Sequence, residues 1–412
     1  MTKLRLAYFS PLPPDRSGIA DYSADLLPHL APLADITLFA STPAAVAPTL
    51  RAAFPVLPLD DYPAQRFHFD LPIYHMGNNI ENHEAIYQMM RRYPGVMVLH
   101  DYRLHHFIAH RTAGRDDFLG YMREVAYVLG PAGVNQLRDH KLRALGVTVP
   151  PQAAAGYTTL ENLALCERLA TLNLGTIVHS HYVQAQLQAG LAAQGVSRPV
   201  SVIPMLMPGH PTSSQRHRLP WPANAIILAS AGYLTPDKRP EQALRAFARL
   251  RQRLPEARYL FIGQLLAPDL NLDQLIAELG LAGVVFQTGF APDLAMLLNW
   301  MATADVLVAL RDPTVGETSG AVLRALSIAR PVIVYDHGWY SELPDDCCLK
   351  VPPGDEEALL AAMSRLAESA ALRRRMGRSA MIYTQNELQP GRVAAAYLAF
   401  LQSVLEKHPD AP

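Results

Sequence analysis

The chain has 412 residues, half of them hydrophobic and 18% charged, with a formal net charge of −1. That length exceeds one core and predicts two or three domains, and the near-neutral balance excludes the basic surface that non-specific nucleic-acid binding needs. Cys166, Cys347 and Cys348 are an odd count with an adjacent pair, which argues against a disulfide framework and for a reducing, cytoplasmic setting. The opening MTKLRLAYFS has no small-residue cleavage site and reads as a first strand, not a signal peptide. No stretch of 18 predominantly apolar residues appears, so no membrane span is expected.

In chain order, LRLAYFS (4–10), DITLFA (35–40), DLPIYHM (70–76), GVMVLHD (95–101), GTIVHS (175–180) and VSVIP (200–204) read as buried strands, being short apolar runs with turn residues or histidines at their ends. Tyr22, Leu26, Leu27 and Leu30 recur at helical spacing and predict a helix over 21–34. Residues 103–170 show no strand pattern and read as a helical insertion, broken at GPAG (130–133) and VPPQ (149–152). PGHPTSSQRHRLPWP (208–222) has the composition of a linker.

After it the alternation resumes: AIILASAG (225–232), RYLFIG (258–263), VVFQTG (284–289), ADVLVAL (304–310) and PVIVYD (331–336). A helix between the first two carries Leu244, Phe247, Leu250 and Leu254 as one stripe, with Pro240 suited to its first turn. Strands alternating with helices predict parallel sheets covered on both faces. The domains are expected at 1–210 and 211–390, with a terminal helix over 391–412 returning to the first. Ligands of such sheets bind beyond the carboxyl ends of the strands, so a cleft between the two halves is the expected site.

Four stretches carry candidate chemistry. In SPLPPDRSGIADYS, Gly18 sits where a helix begins and would let backbone amides approach a phosphate; the plainer reading is a turn needing glycine. In YHMGNN and VLHDYRLHHF, His75 and His100 end strands, and Gly77, Asn78 and Asp101 follow them. His106 and His110 have helical spacing, but no HExxH pattern is present and no metal site is expected. In GYLTPDKRP, Lys238 and Arg239 precede a helix and could hold a diphosphate with its amides. In GETSGAVLRAL, Glu317 ends a loop, Thr318 and Ser319 can cap the next helix, and Gly320 leaves its amides uncovered.

Together these stretches resemble the retaining glycosyltransferases of family 4, with the two-domain GT-B fold. The family's Gly-Arg-Leu-x-x-x-Lys corresponds to GYLTPDK (232–238) and its Ile-x-Gly to LFIGQ. VVFQTG, ADV, ARPVIV and the glutamate of HGWYSELP follow in family order, as do SGIADYS, VLHD and VHSHYV in the first half. The resemblance implies an α/β fold of two doubly wound Rossmann-like domains facing a central cleft. It implies transfer of a sugar, with retention, from a nucleotide diphosphate donor to a glycan, lipid-linked or small-molecule acceptor. No further cofactor is implied. The setting would be cytoplasmic, with room for peripheral contact with the inner membrane face.

By carry-over, Gly18, Gly232, Lys238, Gly263, Thr318, Ser319 and Gly320 would bind the donor. Glu317, His100 and Asp101 would be catalytic, and His75, Gly77 and Asn78 would lie on the acceptor side. Two family residues are replaced. The usual arginine after the first glycine is Tyr233, with Arg239 as its expected substitute. Arg324 stands at the second glutamate of the signature, where a donor-only guanidinium suits an anion better than a ribose diol. Seven residues separate Glu317 from Arg324, which would put both on one side of a helix. The same fold also serves sugar-nucleotide epimerases and sugar phosphorylases, and a non-catalytic nucleotide-sugar or glycan binder is the rival of another class.

Overall fold

The computed structural model describes residues 3–144, 163–266 and 270–408. Two compact units result. Unit 1 comprises Met1–Leu206, Val315–Thr318 and Pro390–Pro412; unit 2 comprises Met207–Thr314 and Ser319–Gln389.

Among its described residues unit 1 contains seven strands: β1 (Leu4–Phe9), β2 (Ala34–Ala40), β3 (Val56–Pro58), β4 (Leu71–Met76), β5 (Val96–Leu99), β6 (Gly175–Val178) and β7 (Val200–Val202). All pair in parallel, in the order β3-β2-β1-β4-β5-β6-β7. Side chains alternate across the sheet as a period of two requires. Ala7 and Phe9 enter one core with Phe39, Tyr74 and Met97. Leu6 and Tyr8 enter the other, with Leu26, Leu27, Val393, Tyr397 and Leu401. The second core therefore includes the C-terminal helix Pro390–Lys407, whose Tyr397 hydroxyl meets that of Tyr22 at 2.7 Å.

Unit 2 contains β8 (Ile227–Ala231), β9 (Arg258–Ile262), β10 (Val285–Gln287), β11 (Val306–Ala309), β12 (Val332–Tyr335) and β13 (Cys348–Val351). They form one parallel sheet in the order β10-β9-β8-β11-β12-β13. Both orders reverse direction next to the unit's first strand, as in a doubly wound nucleotide-binding sheet. The switch points lie between β1 and β4 and between β8 and β11, and the crevice beyond their carboxyl ends is where such sheets hold ligands.

Three expectations need correction. The first helix spans Gly18–Leu30, capped by Ser17, whose hydroxyl accepts from the Ile19 amide; Pro32 removes the amide that would carry it toward 34. The stretch 208–222 is not a bare linker. The Ser213 amide donates to Asn299 and the Gln215 amide to Thr303, and Arg216 pairs with Asp305 at 2.5 Å. Part of its polar composition serves these hydrogen bonds, while most of its residues stay exposed to solvent. Glu317 precedes the helix Gly320–Ser327, so seven residues do not amount to two helical turns between it and Arg324.

The described part of the insertion contains helices His105–Arg111 and Phe118–Ala144, the second interrupted where Gly130 takes φ +61°; the break expected at 149–152 lies outside the described residues. Among the described residues no helix is long and apolar enough to cross a membrane.

Candidate functional site

In unit 1, three adjacent strands each carry a histidine near or just beyond their carboxyl end. His75 lies in β4, and His100 and His179 follow β5 and β6 directly. Their rings form a chain. His179 Nδ1 meets the Ile203 carbonyl at 2.8 Å, His179 Nε2 meets His100 Nδ1 at 3.2 Å, and His100 Nε2 meets His75 Nδ1 at 2.9 Å. A carbonyl only accepts, so His179 carries its proton on Nδ1. With every ring neutral, only one proton arrangement follows: each imidazole donates from Nδ1 and accepts at Nε2. The chain stops at His75 Nε2, a buried atom with no hydrogen-bond partner among the described residues.

Neutrality has a physical cause. Burial pushes His179 down to about 4, against the Ile203 contact. Burial and then the neighbouring imidazoles hold His75 and His100 well below the usual histidine range. His83, buried beside the chain with its Nδ1 on the Asn79 carbonyl, is also pushed down to about 4 by burial.

Both ring nitrogens of His100 are thus engaged by other histidines. The expected contact of this ring with a donor sugar would have to displace one of them. Sequence reasoning passed over His179; the signal was available, since three consecutive strands carry a histidine near or just beyond their carboxyl end.

Asp101 accepts from the Asn78 amide at 2.9 Å, and Asn78 Oδ1 accepts from the Phe107 amide at 2.9 Å. A Cβ on Gly77 would lie 2.6 Å from Ile19 Cδ1 and 3.1 Å from Asp101 Oδ2, so a side chain there would push the tip of Ile19 aside. Gly18 opens the helix Gly18–Leu30, and a Cβ there would meet nothing within 4 Å. Local packing therefore does not demand glycine at 18. His105 bonds the Tyr121 hydroxyl at 2.8 Å, a structural role, and no group of three or more His, Cys, Asp or Glu among the described residues is placed to hold a metal ion.

In unit 2, Gly232 and Gly263 follow β8 and β9 with φ of +96° and +142°. A Cβ on Gly263 would fall 2.1 Å from the Gly232 carbonyl, and one on Gly232 would fall 2.5 Å from Lys238 Nζ. These are backbone positions that only glycine fills, and they bring the Lys238 ammonium over bare main chain, 3.3 Å from the Ala231 carbonyl.

The loops following β8 and β11 are tied across the switch point by ion pairs between Arg311 and Asp237 and between Arg239 and Asp312. Arg239, with φ +50°, caps the helix Pro240–Arg253. It was expected to replace the missing arginine at a phosphate; its guanidinium is instead bonded to Asp312 at 2.7 Å. Tyr233, at the replaced position, is 40% exposed and stacks on Phe290, itself 45% exposed.

Ser319 caps the helix Gly320–Ser327 by accepting from the Val322 amide, and a Cβ on Gly320 would meet nothing within 4 Å. Arg324 lies in the last turn of that helix. Glu317 and Thr318 fall within the short segment counted with unit 1. Glu317 is only 7% exposed, and its carboxylate accepts from the Val315 amide at 2.8 Å.

The sequence profile of the family described as "Glycosyl transferases group 1" matches residues 212–381. D-inositol 3-phosphate glycosyltransferase of Streptomyces griseus is 32% identical over 197 residues, 44% of this chain and 40% of that protein. Its counterpart in Streptomyces avermitilis is 30% identical over 246 residues, 56% and 51%. The chain thus spans about half the length of the curated relatives it matches.

Among solved structures, sucrose-phosphate synthase of Thermosynechococcus elongatus superposes with a TM-score of 0.65 over 98% of this chain and 100% of that one, at 17% identity. Anabaena HepE in complex with UDP and glucose gives 0.62 over 97% and 100%, also at 17% identity. These likenesses show the fold, GT-B, and nothing finer. With two Rossmann-like units of seven and six parallel strands and the profile match over 212–381, this chain carries a domain of the glycosyl transferases group 1 family on a GT-B frame.

Proposed function

We propose that the protein is a retaining glycosyltransferase that takes a sugar from a nucleoside diphosphate donor. The observation that carries this reading is the cradle of Gly232, Gly263 and Lys238 at the carboxyl ends of β8 and β9, inside the stretch matched by the family. An ammonium over bare backbone beside a helix N-terminus is suited to a diphosphate. The bond broken is that between the anomeric carbon and the donor's phosphate oxygen, and the bond formed joins that carbon to an acceptor oxygen. Negative charge gathers on the departing diphosphate, so Lys238 and the uncovered amides at Ser319 and Gly320 stabilise the transition state.

Glu317 is assigned to the positive charge that develops on the sugar, and Gly18 to the donor phosphates. Arg324 is assigned to the nucleotide end, where it favours an anion over a ribose diol. Asp101, Gly77 and Asn78 shape the acceptor side, with His75 and His100 in the imidazole chain behind them. The bound UDP of HepE supports a nucleotide donor in this fold. The three cysteines, all buried thiols, accord with a reducing cytoplasm.

Lys238→Ala should weaken nucleoside diphosphate binding by about 1.5–3 kcal/mol, the range for a hydrogen bond to a charged group. Calorimetry showing unchanged affinity would remove Lys238 from the site. Glu317→Gln should lower transfer by about a hundredfold or more while leaving diphosphate affinity unchanged. Full transfer with a panel of nucleotide sugars would take the catalytic role away from this loop, and binding without turnover by the unaltered protein would favour the non-catalytic rival.

A further inference from the structure

The helix Ala370–Glu387 in unit 2 turns one face, at Ala370, Arg373, Arg374, Gly377 and Arg378, toward a cavity of about 390 Å³. Its other wall is Asp305, just before β11, and the turn Ala329–Pro331, just before β12. In a parallel sheet the amino ends share one edge, so this cavity lies on the edge opposite the Gly232–Gly263–Lys238 cradle. Gly377 makes the close approach possible, since a Cβ there would lie 2.3 Å from the Ala329 carbonyl.

Four guanidinium groups, those of Arg330, Arg373, Arg374 and Arg378, face one carboxylate in this lining. That carboxylate is already engaged: Asp305 Oδ2 accepts from Arg216 at 2.5 Å and from the Ile227 amide at 2.8 Å. Arg330 and Arg373 are held in place by carbonyls, of Ala302 for the first and of Leu366 and Ala367 for the second. Carbonyls orient a guanidinium without neutralising it. Arg330 Nε is buried with no partner among the described residues. Burial pulls Arg330 and Arg373 down from the usual arginine value; the Asp305 carboxylate opposes this, and neighbouring arginines add to it. The N-terminus of an 18-residue helix opens into the same space at Ala370, adding positive potential.

We propose that this cavity is a second anion site, which takes a multivalent phosphate group by fork-like guanidinium contacts. It is independent of the transferase reading. The phosphate could belong to a soluble phosphate ester or to a phospholipid headgroup, and the chemistry of recognition is the same.

Inorganic pyrophosphate titrated by calorimetry into Lys238→Ala, whose nucleotide cradle is weakened, should still bind. Adding Arg374→Ala and Arg378→Ala, both on exposed helix surface, should weaken that binding at least about tenfold, or 1.4 kcal/mol. Arg375→Ala removes the same charge from the same helix outside the cavity and should leave it nearly unchanged. No residual binding in Lys238→Ala, or equal losses from Arg375→Ala and Arg374→Ala singly, would overturn the proposal. Sedimentation with phosphatidylcholine vesicles, with and without phosphatidic acid, separates the sources. Vesicle binding lost in the Arg374→Ala, Arg378→Ala variant identifies a headgroup, and pyrophosphate binding without vesicle binding identifies a soluble ester.

Discussion

Acidification from pH 6.5 to about 4 should unfold unit 1. His83 and His179 fall from 6.5 in the unfolded chain to about 4 when buried. The folded state therefore binds fewer protons than the unfolded state in this window. Their contribution is fully present above 6.5 and is lost as pH falls toward the folded value. Each contributes about 3 kcal/mol, and His75 and His100, also depressed, add to the slope. That is a large part of the ~5–15 kcal/mol that holds a typical domain.

The two units can be followed separately, because all three tryptophans, Trp221, Trp300 and Trp339, belong to unit 2. Far-UV dichroism should lose part of its amplitude on acidification before tryptophan fluorescence shifts. A denaturant midpoint that stays constant by dichroism from pH 7 to pH 5 would show that the histidines are not held neutral by the fold.

Gly263→Ala should be the most damaging single methyl in unit 2. The new Cβ meets the Gly232 carbonyl at 2.1 Å, and the residue sits at φ +142°. No flexible side chain is available to yield, since both partners are main chain. The ends of β8 and β9 would separate, breaking the bond from the Gly232 amide to the Ile262 carbonyl, 2.8 Å long. Overpacking and backbone strain each cost about 1–3 kcal/mol, and nucleotide affinity should be lost with them. Gly280→Ala is the comparison: it also has positive φ, +65°, but its Cβ would meet nothing within 4 Å, so only a strain of about 1 kcal/mol applies. Equal urea midpoints for the two variants would refute the close-approach argument.

The central strands were legible because they are buried on both faces and therefore read as unbroken apolar runs. The two strands that escaped, β3 and β13, both lie at sheet edges. Edge strands are short and half solvated: β3 is three residues ending in Pro58, and β13 carries Lys350. A run of that kind gives no periodic signal. The glycines at 232 and 263 stood out by position after a strand, but their mutual approach comes from strand pairing, which no local pattern encodes. The Arg239–Asp312 and Arg216–Asp305 pairs join residues 73 and 89 positions apart, so a basic residue near a loop looked available when its partner was far off in sequence. Arg324 is not two helical turns from Glu317 for a simpler reason, since the helix begins only at Gly320, three residues after Glu317.

The C-terminal helix Pro390–Lys407 places Tyr397, Leu401 and Val404 at full burial in the core of unit 1, against residues from its first strand and helix. Each such side chain contributes about 1.5–3 kcal/mol when buried. On the ribosome, where domains ordinarily fold as they emerge, unit 1 therefore starts first and finishes last. Its seven strands are made before residue 203, yet the part of one sheet face that the final helix covers stays open to solvent until unit 2 has been synthesised and that helix arrives. The first half of this chain must wait, with apolar surface showing, through the translation of almost two hundred further residues.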